Sequence, residues 1–368
     1  MTLAYWSISI AIFAVIVSRG KSVFSTNNYI NEYKNSTHCN KSLLLLFLVW
    51  VVYSILLGCR KGFVDTATYK LMAERIGASF SNLFNSELAI VEPGFNAWMV
   101  FCNKISGSNS QFFIFLTTAV TLAGVLIFFH KESSDSALSI FFFIAFISFT
   151  YMNGIRQAMV AVVFALVYSR WKYNIRLMIL TCILLTSFHS SSLLLIPLYL
   201  CINGKVFNWK IKMLFLFSVL CVIGAGSVQR ILNIILNDRF SESLNLMTSG
   251  TGMVRVVINL IPVALVAIQY RIGGIRENRD KEIANIFLVD AAINICSLKS
   301  TYFARMSVYF VLLIAAYYPR VLHRIFNRRS QKIVYILFVI FYTAFYLYQA
   351  YTFEVYGYLR TFHLFFLN

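Results

Sequence analysis

The chain has 368 residues, of which 59% are hydrophobic and 12% charged, and its mean hydropathy is +0.73. A water-soluble domain carries roughly 25% charged residues, so half the usual charge excludes a soluble enzyme and leaves a polytopic membrane protein. The apolar runs 43–57, 137–150 and 334–346 are continuous rather than alternating, which disfavours a β-barrel. The net charge is +18. In a soluble chain this would point to nucleic acid. In a multi-pass chain it marks cationic loops that set orientation, and no nucleic-acid partner is expected.

Taken in chain order, the apolar runs predict crossings at 2–18, 42–58, 110–130, 137–152, 156–170, 174–188, 190–203, 211–228, 253–270, 283–299, 303–319 and 333–350. The expected fold is therefore an all-α, polytopic integral membrane bundle of about 12 transmembrane helices. The first run begins at once, without preceding basic residues or a small-x-small cleavage site, and reads as a retained helix. Residues 66–84 are amphipathic and read as an interfacial helix. The stretch 93–105 is apolar but short and contains Asn96 and Asn103. It reads as a short outer or re-entrant helix. The whole chain, 1–368, is expected to form one transmembrane domain with outer loops at 58–109 and 229–252.

Loops 19–41, 170–176, 203–212, 271–282 and 320–332 hold more than half of the lysines and arginines. The positive-inside rule makes these five cytoplasmic. Segment 58–92 balances four bases with four acids and falls outside, together with 229–252. Loop 131–136 is inside by parity alone. The seven cysteines lie far apart, without a Cys-x-x-Cys pair, so neither a metal site nor a disulfide framework is expected.

Charge at membrane depth is costly and is retained mostly for function. Arg60 closes the second run, and Asp65 and Tyr69 follow it. Glu92 opens Glu92-Pro93-Gly94-Phe95. Arg156 and Gln157 sit between two apolar runs with almost no loop. His189 lies in Ser187-Phe188-His189-Ser190-Ser191. Arg305 precedes Tyr309 in Arg305-Met306-Ser307-Val308-Tyr309. The topology puts all of them near one outer face. Guanidinium forks match phosphate oxygens, and a carboxylate or imidazole nearby can take a proton from a sugar hydroxyl. Each residue also has a structural role open to it. Arg60 can anchor a helix end, Asp65 can cap the helix at Thr66, Glu92 can serve the next helix dipole, His189 can be a packing histidine, and Arg305 can pair with buried Asp290.

There is no Walker loop, His-Glu-x-x-His, Gly-x-Ser-x-Gly or Asp-x-Asp triplet. No cofactor or metal is expected. The energy for a bond made outside then has to come from the substrate, and a lipid-diphosphate donor carries it.

These segments resemble the EpsG family of Wzy-type polysaccharide polymerases. The residues that carry the likeness are Arg60, Asp65-Thr66 and Tyr69, Glu92-Pro93-Gly94-Phe95, Ile155-Arg156-Gln157, Phe188-His189-Ser190-Ser191 and Arg305-Met306-Ser307 with Tyr309-Phe310, in order across about residues 55–310. One departure is Lys61-Gly62-Phe63-Val64 before Asp65-Thr66, where family members often carry Gly-Thr/Asn-Asp-Tyr-type versions after the first arginine.

The resemblance implies an O-antigen or capsule polymerase of the bacterial inner membrane. It would join oligosaccharide repeat units carried on undecaprenyl pyrophosphate at the periplasmic face, with a flippase and a chain-length regulator as partners. On this reading Arg60, Arg156, Gln157, Arg305, Tyr69 and Tyr309 bind pyrophosphate or glycan. The proton acceptor is His189 or Asp65, with Glu92 third. A flippase of lipid-linked sugars, an O-antigen ligase-like transferase and an acyltransferase are the competing readings.

Overall fold

The computed structural model describes residues 2–19, 36–84, 92–235 and 252–357. Among these the chain is all helical. Its elements are α1 (Thr2–Arg19), α2 (Ser36–Gly58), α3 (Thr66–Ile76), a 3-10 turn (Phe80–Phe84), α4 (Pro93–Ser106), α5 (Ser110–Glu132), α6 (Ser136–Phe142), a π-helical segment (Phe143–Ile147) and α7 (Ser148–Asn153). Then come α8 (Ile155–Trp171), α9 (Ile175–Leu185), a 3-10 turn (Ser190–Leu194), α10 (Leu195–Ile202), α11 (Trp209–Ile235), α12 (Met253–Arg271), α13 (Asn278–Ser297), α14 (Thr301–Ile325) and α15 (Arg328–Val355).

Polar residues set several of the starts. The side chains of Asn109, Asp135, Asn174 and Asn327 each accept a hydrogen bond from a first-turn amide of α5, α6, α9 and α15, which satisfies donors that the helix itself leaves unpaired. The middle of the bundle is aromatic. Phe142, Tyr318, Phe338 and Tyr342 pack with ring centroids 4.6–6.3 Å apart, and the π-helical segment lies against α15 beside them.

Among the described residues, five helical stretches are long and apolar enough to cross a membrane: Ser110–Glu132, Ser136–Asn153, Met253–Arg271, Phe303–Ile325 and Arg329–Val355. These five do not confirm the expected total of about 12. The runs 174–188 and 190–203 form short helices, Ile175–Leu185 and Ser190–Ile202. Eleven residues rise only about 17 Å, well short of a hydrocarbon core of about 30 Å. Together they make a hairpin whose tip is His189. Its base is held where the Tyr199 hydroxyl donates to the Lys172 carbonyl at 2.5 Å.

The short stretch 93–105 is α4, which packs with α3 against α5. Asn103 ties the two by donating to the carbonyls of Ala73 and Gly77 at 2.6 and 2.8 Å. Of the expected outer loop 229–252, residues 229–235 continue α11, and 236–251 lie outside the described residues.

One end of the bundle carries a charge network. Glu282 accepts from Lys172, Tyr168 and Arg279. Arg279 also reaches Glu132 and lies over the ring of Tyr317, 4.6 Å from its centroid. Arg320 and Arg324 pair with Glu277 and Asp280. Asn285, one turn further along α13, donates to the carbonyls of Ile202 and Lys205. Loops 131–136, 170–176, 203–212, 271–282 and 320–332 therefore share one end. The contacts place loop 131–136 beside the basic loops, where its own charge could not assign it.

Candidate functional site

At the opposite end of α8 from Lys172, about 24 Å away by helical rise, the segments around Glu92 and His189 dock on each other. The amides of Gly94 and Phe95 donate to the Ser187 carbonyl at 2.8 and 3.2 Å, and the Ser190 amide donates to Glu92 Oε1 at 3.2 Å. Gly94 permits this approach. A Cβ there would meet Ser187 Oγ at 2.5 Å and the Phe188 ring at 3.0 Å.

Glu92 occupies the N-cap position of α4 but makes no capping bond there. Its carboxylate instead bridges two bases. Oε1 lies 2.8 Å from His189 Nδ1, and Oε2 accepts from Arg156. Burial raises the Glu92 pKa, but the His189 hydrogen bond and the Arg156 charge outweigh it and hold the carboxyl below its ordinary value. His189 Nε2 lies 3.0 Å from Gln157 Nε2. An amide NH2 can only donate. The ring is therefore arranged as Nδ1–H donating to Glu92, with the Nε2 lone pair facing Gln157. This is a carboxylate-oriented imidazole of the kind used for general base catalysis.

Arg156 emerges from the break at Gly154 between α7 and α8. Its guanidinium lies over the rings of Tyr69 and Phe95, 5.7 and 5.9 Å from their centroids. It keeps 23% of its side chain exposed, and its buried Nε has no hydrogen-bond partner. Tyr69 is itself buried against Phe95.

Arg60 is near but enclosed. It has no exposed surface. Nε donates to Thr66 at 3.0 Å, Nη2 to the Met152 carbonyl at 3.0 Å, and Nη1 to the Leu57 carbonyl and to Thr118. With its donors on the protein, Arg60 ties the loop after α2 to α5 and α7. Asp65 is half-buried one turn before Tyr69. It stands at the N-cap of α3 without a capping side-chain bond. Val64 before it has a φ of +43°, which is costly for a β-branched residue.

Arg305 is exposed near the start of α14, and no ion pair joins it to Asp290. Asp290 accepts instead from Ser307 at 2.6 Å and Asn294 at 2.9 Å, and Asn294 accepts from Asn259 at 2.7 Å. This polar cluster stands in place of the Arg305–Asp290 pair, the structural alternative for Arg305. One turn beyond Arg305, the Tyr309 hydroxyl is 2.7 Å from Ser191 Oγ. That contact holds the hairpin tip beside His189 against α14.

The structure therefore joins Glu92, Arg156, Gln157, His189 and Tyr69 directly. Arg60 bonds to Thr66 and Met152 and Tyr309 to Ser191, and among the described residues no hydrogen bond or ion pair joins Arg305 to Glu92 or His189. Sequence reasoning missed Arg255, whose Nη2 donates to Thr150 Oγ1 at 3.3 Å. Its one signal was a guanidinium at the third position of an apolar span. Among the described residues, no three His, Cys, Asp or Glu side chains group as metal ligands.

The family model of the EpsG family matches residues 43–362. No curated protein and no solved structure matches the chain. With the match covering most of its length, the chain belongs to the EpsG family of Wzy-type polysaccharide polymerase-like membrane proteins.

Proposed function

We propose that the chain is a glycosyltransferase that polymerises polysaccharide repeat units. It would transfer the growing glycan from undecaprenyl pyrophosphate to the next lipid-linked unit, at the periplasmic face of the inner membrane. The observation that carries this reading is the Glu92–His189–Gln157 chain beside Arg156.

A sugar hydroxyl of the acceptor takes the place of the Gln157 amide at His189 Nε2. As its oxygen attacks the anomeric carbon of the donor, the proton passes to Nε2 and the carbon–oxygen bond to the diphosphate breaks. The lipid diphosphate leaves with the electron pair. Glu92 keeps the ring oriented and balances the imidazolium that forms. It stays ionised because Arg156 and His189 both favour its charged form. His189 is thus the base, in preference to Asp65 or Glu92. Fixed positive charge stabilises the leaving group, and the diphosphate bond supplies the driving force without a cofactor. A flippase would deliver the units, and a chain-length regulator would act on the product.

A second reading, transport of the lipid-linked unit, draws on the polar cluster of Asp290, Asn294, Ser307 and Asn259 buried within the bundle. Deletion of the gene followed by a glycan gel separates the two. Loss of a polymerase leaves glycan of a single repeat unit, and loss of a flippase leaves no outer glycan. An unchanged ladder overturns both. Complementation with His189→Gln should restore protein but not the ladder if His189 is the base.

A further inference from the structure

Three guanidiniums meet the junction between α7 and α8 from different directions. Arg60 binds the Met152 carbonyl from the loop after α2. Arg156 leaves the junction as the second residue of α8. Arg255 arrives from α12 and donates to the Thr150 hydroxyl. They differ in how their donors are used. Arg60 is enclosed, with its Nε and both terminal nitrogens bonded to protein groups. Arg156 is committed to the carboxylate of Glu92.

Arg255 makes one side-chain hydrogen bond, long and to a neutral hydroxyl, and forms no ion pair among the described residues. Its side chain is exposed. The acid that influences it is Asp290, whose oxygens are already taken by Ser307 and Asn294. Thr150 and Met152, which hold Arg255 and Arg60, lie within six residues of Arg156 along the chain.

We infer that Arg255 binds the diphosphate of a lipid-linked substrate, with Arg156 alongside it and Arg60 fixing the junction that presents them. A guanidinium with most of its donors open suits the forked oxygens of a diphosphate. An accessible guanidinium without a carboxylate partner has a charge that an anionic ligand can satisfy. This inference rests on the polymerase reading for the identity of the lipid. The chemistry shared with bulk phospholipid is the phosphate group, and the test separates the two.

The full-length protein in detergent would be titrated with undecaprenyl pyrophosphate and, separately, with phosphatidylglycerol. Wild type, Arg255→Ala, Arg255→Lys and Arg60→Ala would be compared, each checked for a cooperative thermal transition. Arg255→Ala should weaken binding of undecaprenyl pyrophosphate at least tenfold and leave phosphatidylglycerol binding unchanged. Arg255→Lys, which keeps the charge without the fork, should weaken it severalfold and decides the matter if the alanine variant does not fold. Unchanged diphosphate affinity in the folded variants overturns the inference. So does an equal loss for both lipids, which would make Arg255 an anchor for bulk headgroups. If wild type itself does not bind undecaprenyl pyrophosphate, the polymerase reading fails along with the inference. If wild type binds and the variants bind equally, only the inference fails.

Discussion

Glu92 Oε1 and His189 Nδ1 lie 2.8 Å apart although 97 positions separate them in the chain. The contact is not an isolated pair. Backbone hydrogen bonds from Gly94, Phe95 and Ser190 hold the two segments together on either side of it. The imidazole is thereby presented with one nitrogen on a carboxylate and the other toward Gln157. His189→Gln should retain normal protein levels and lower polymerisation by about 10²-fold or more, the usual scale of general base catalysis. Glycan chain length in a complemented deletion strain measures it.

Arg156→Ala removes the guanidinium shared by Glu92, Tyr69 and Phe95. The expected product is lipid-linked glycan of one repeat unit, with the protein still in the membrane. Long chains of normal distribution from this variant would refute a catalytic role for Arg156.

Glu92 also predicts a pH response. Its folded pKa lies below the ordinary value because His189 and Arg156 together outweigh burial. A depressed carboxylate contributes stability that is fully present above its unfolded pKa, about 4.3, and is lost as pH falls through the lower folded value. Thermal unfolding of the purified protein should show an acid-side decline in Tm that is smaller in Glu92→Gln. Identical pH profiles for the two proteins would rule out this contribution.

Gly94→Ala tests the docking itself. The added Cβ would stand 2.5 Å from Ser187 Oγ and 3.0 Å from the Phe188 ring. The segments must then separate, at a cost of about 1–3 kcal/mol. Tm should fall, and polymerisation per folded molecule should fall with it, since His189 would lose its alignment to Glu92.

The charge network at the other end predicts the opposite division. Glu282 serves Lys172, Tyr168 and Arg279 together. Glu282→Ala leaves the partly buried Lys172 without its acid, while Arg279 keeps Glu132, and should destabilise the protein by about 3 kcal/mol. Activity per folded molecule should hold, because the site lies at the far end of α8. Tm and protein-normalised glycan yield separate the two effects.

Much of the architecture is legible in the chain alone because solvent selects residue type directly. Hydrocarbon requires apolar side chains and internally satisfied backbone, so helical content and membrane character follow from the apolar runs. The clustering of the basic loops at one end is likewise written in local charge. Which runs span is less legible. The run ending at Phe188 and the run beginning at Ser190 form a hairpin whose tip, His189, is the position that separates them in the sequence.

The candidate residues themselves were visible as isolated charges in apolar surroundings, where each is costly and so conspicuous. Their partners were not. Arg60, Arg156 and Arg305 look alike in the sequence, but the fold seals the first with carbonyls, pairs the second with Glu92 and leaves the third exposed. Arg255 drew no notice in the sequence, and α12 brings it to Thr150. Residue type and hydropathy are local properties of the chain, and solvent acts on them one segment at a time. Pairing depends on distances of about 3 Å between segments far apart in sequence, and only the packing of the helices determines those.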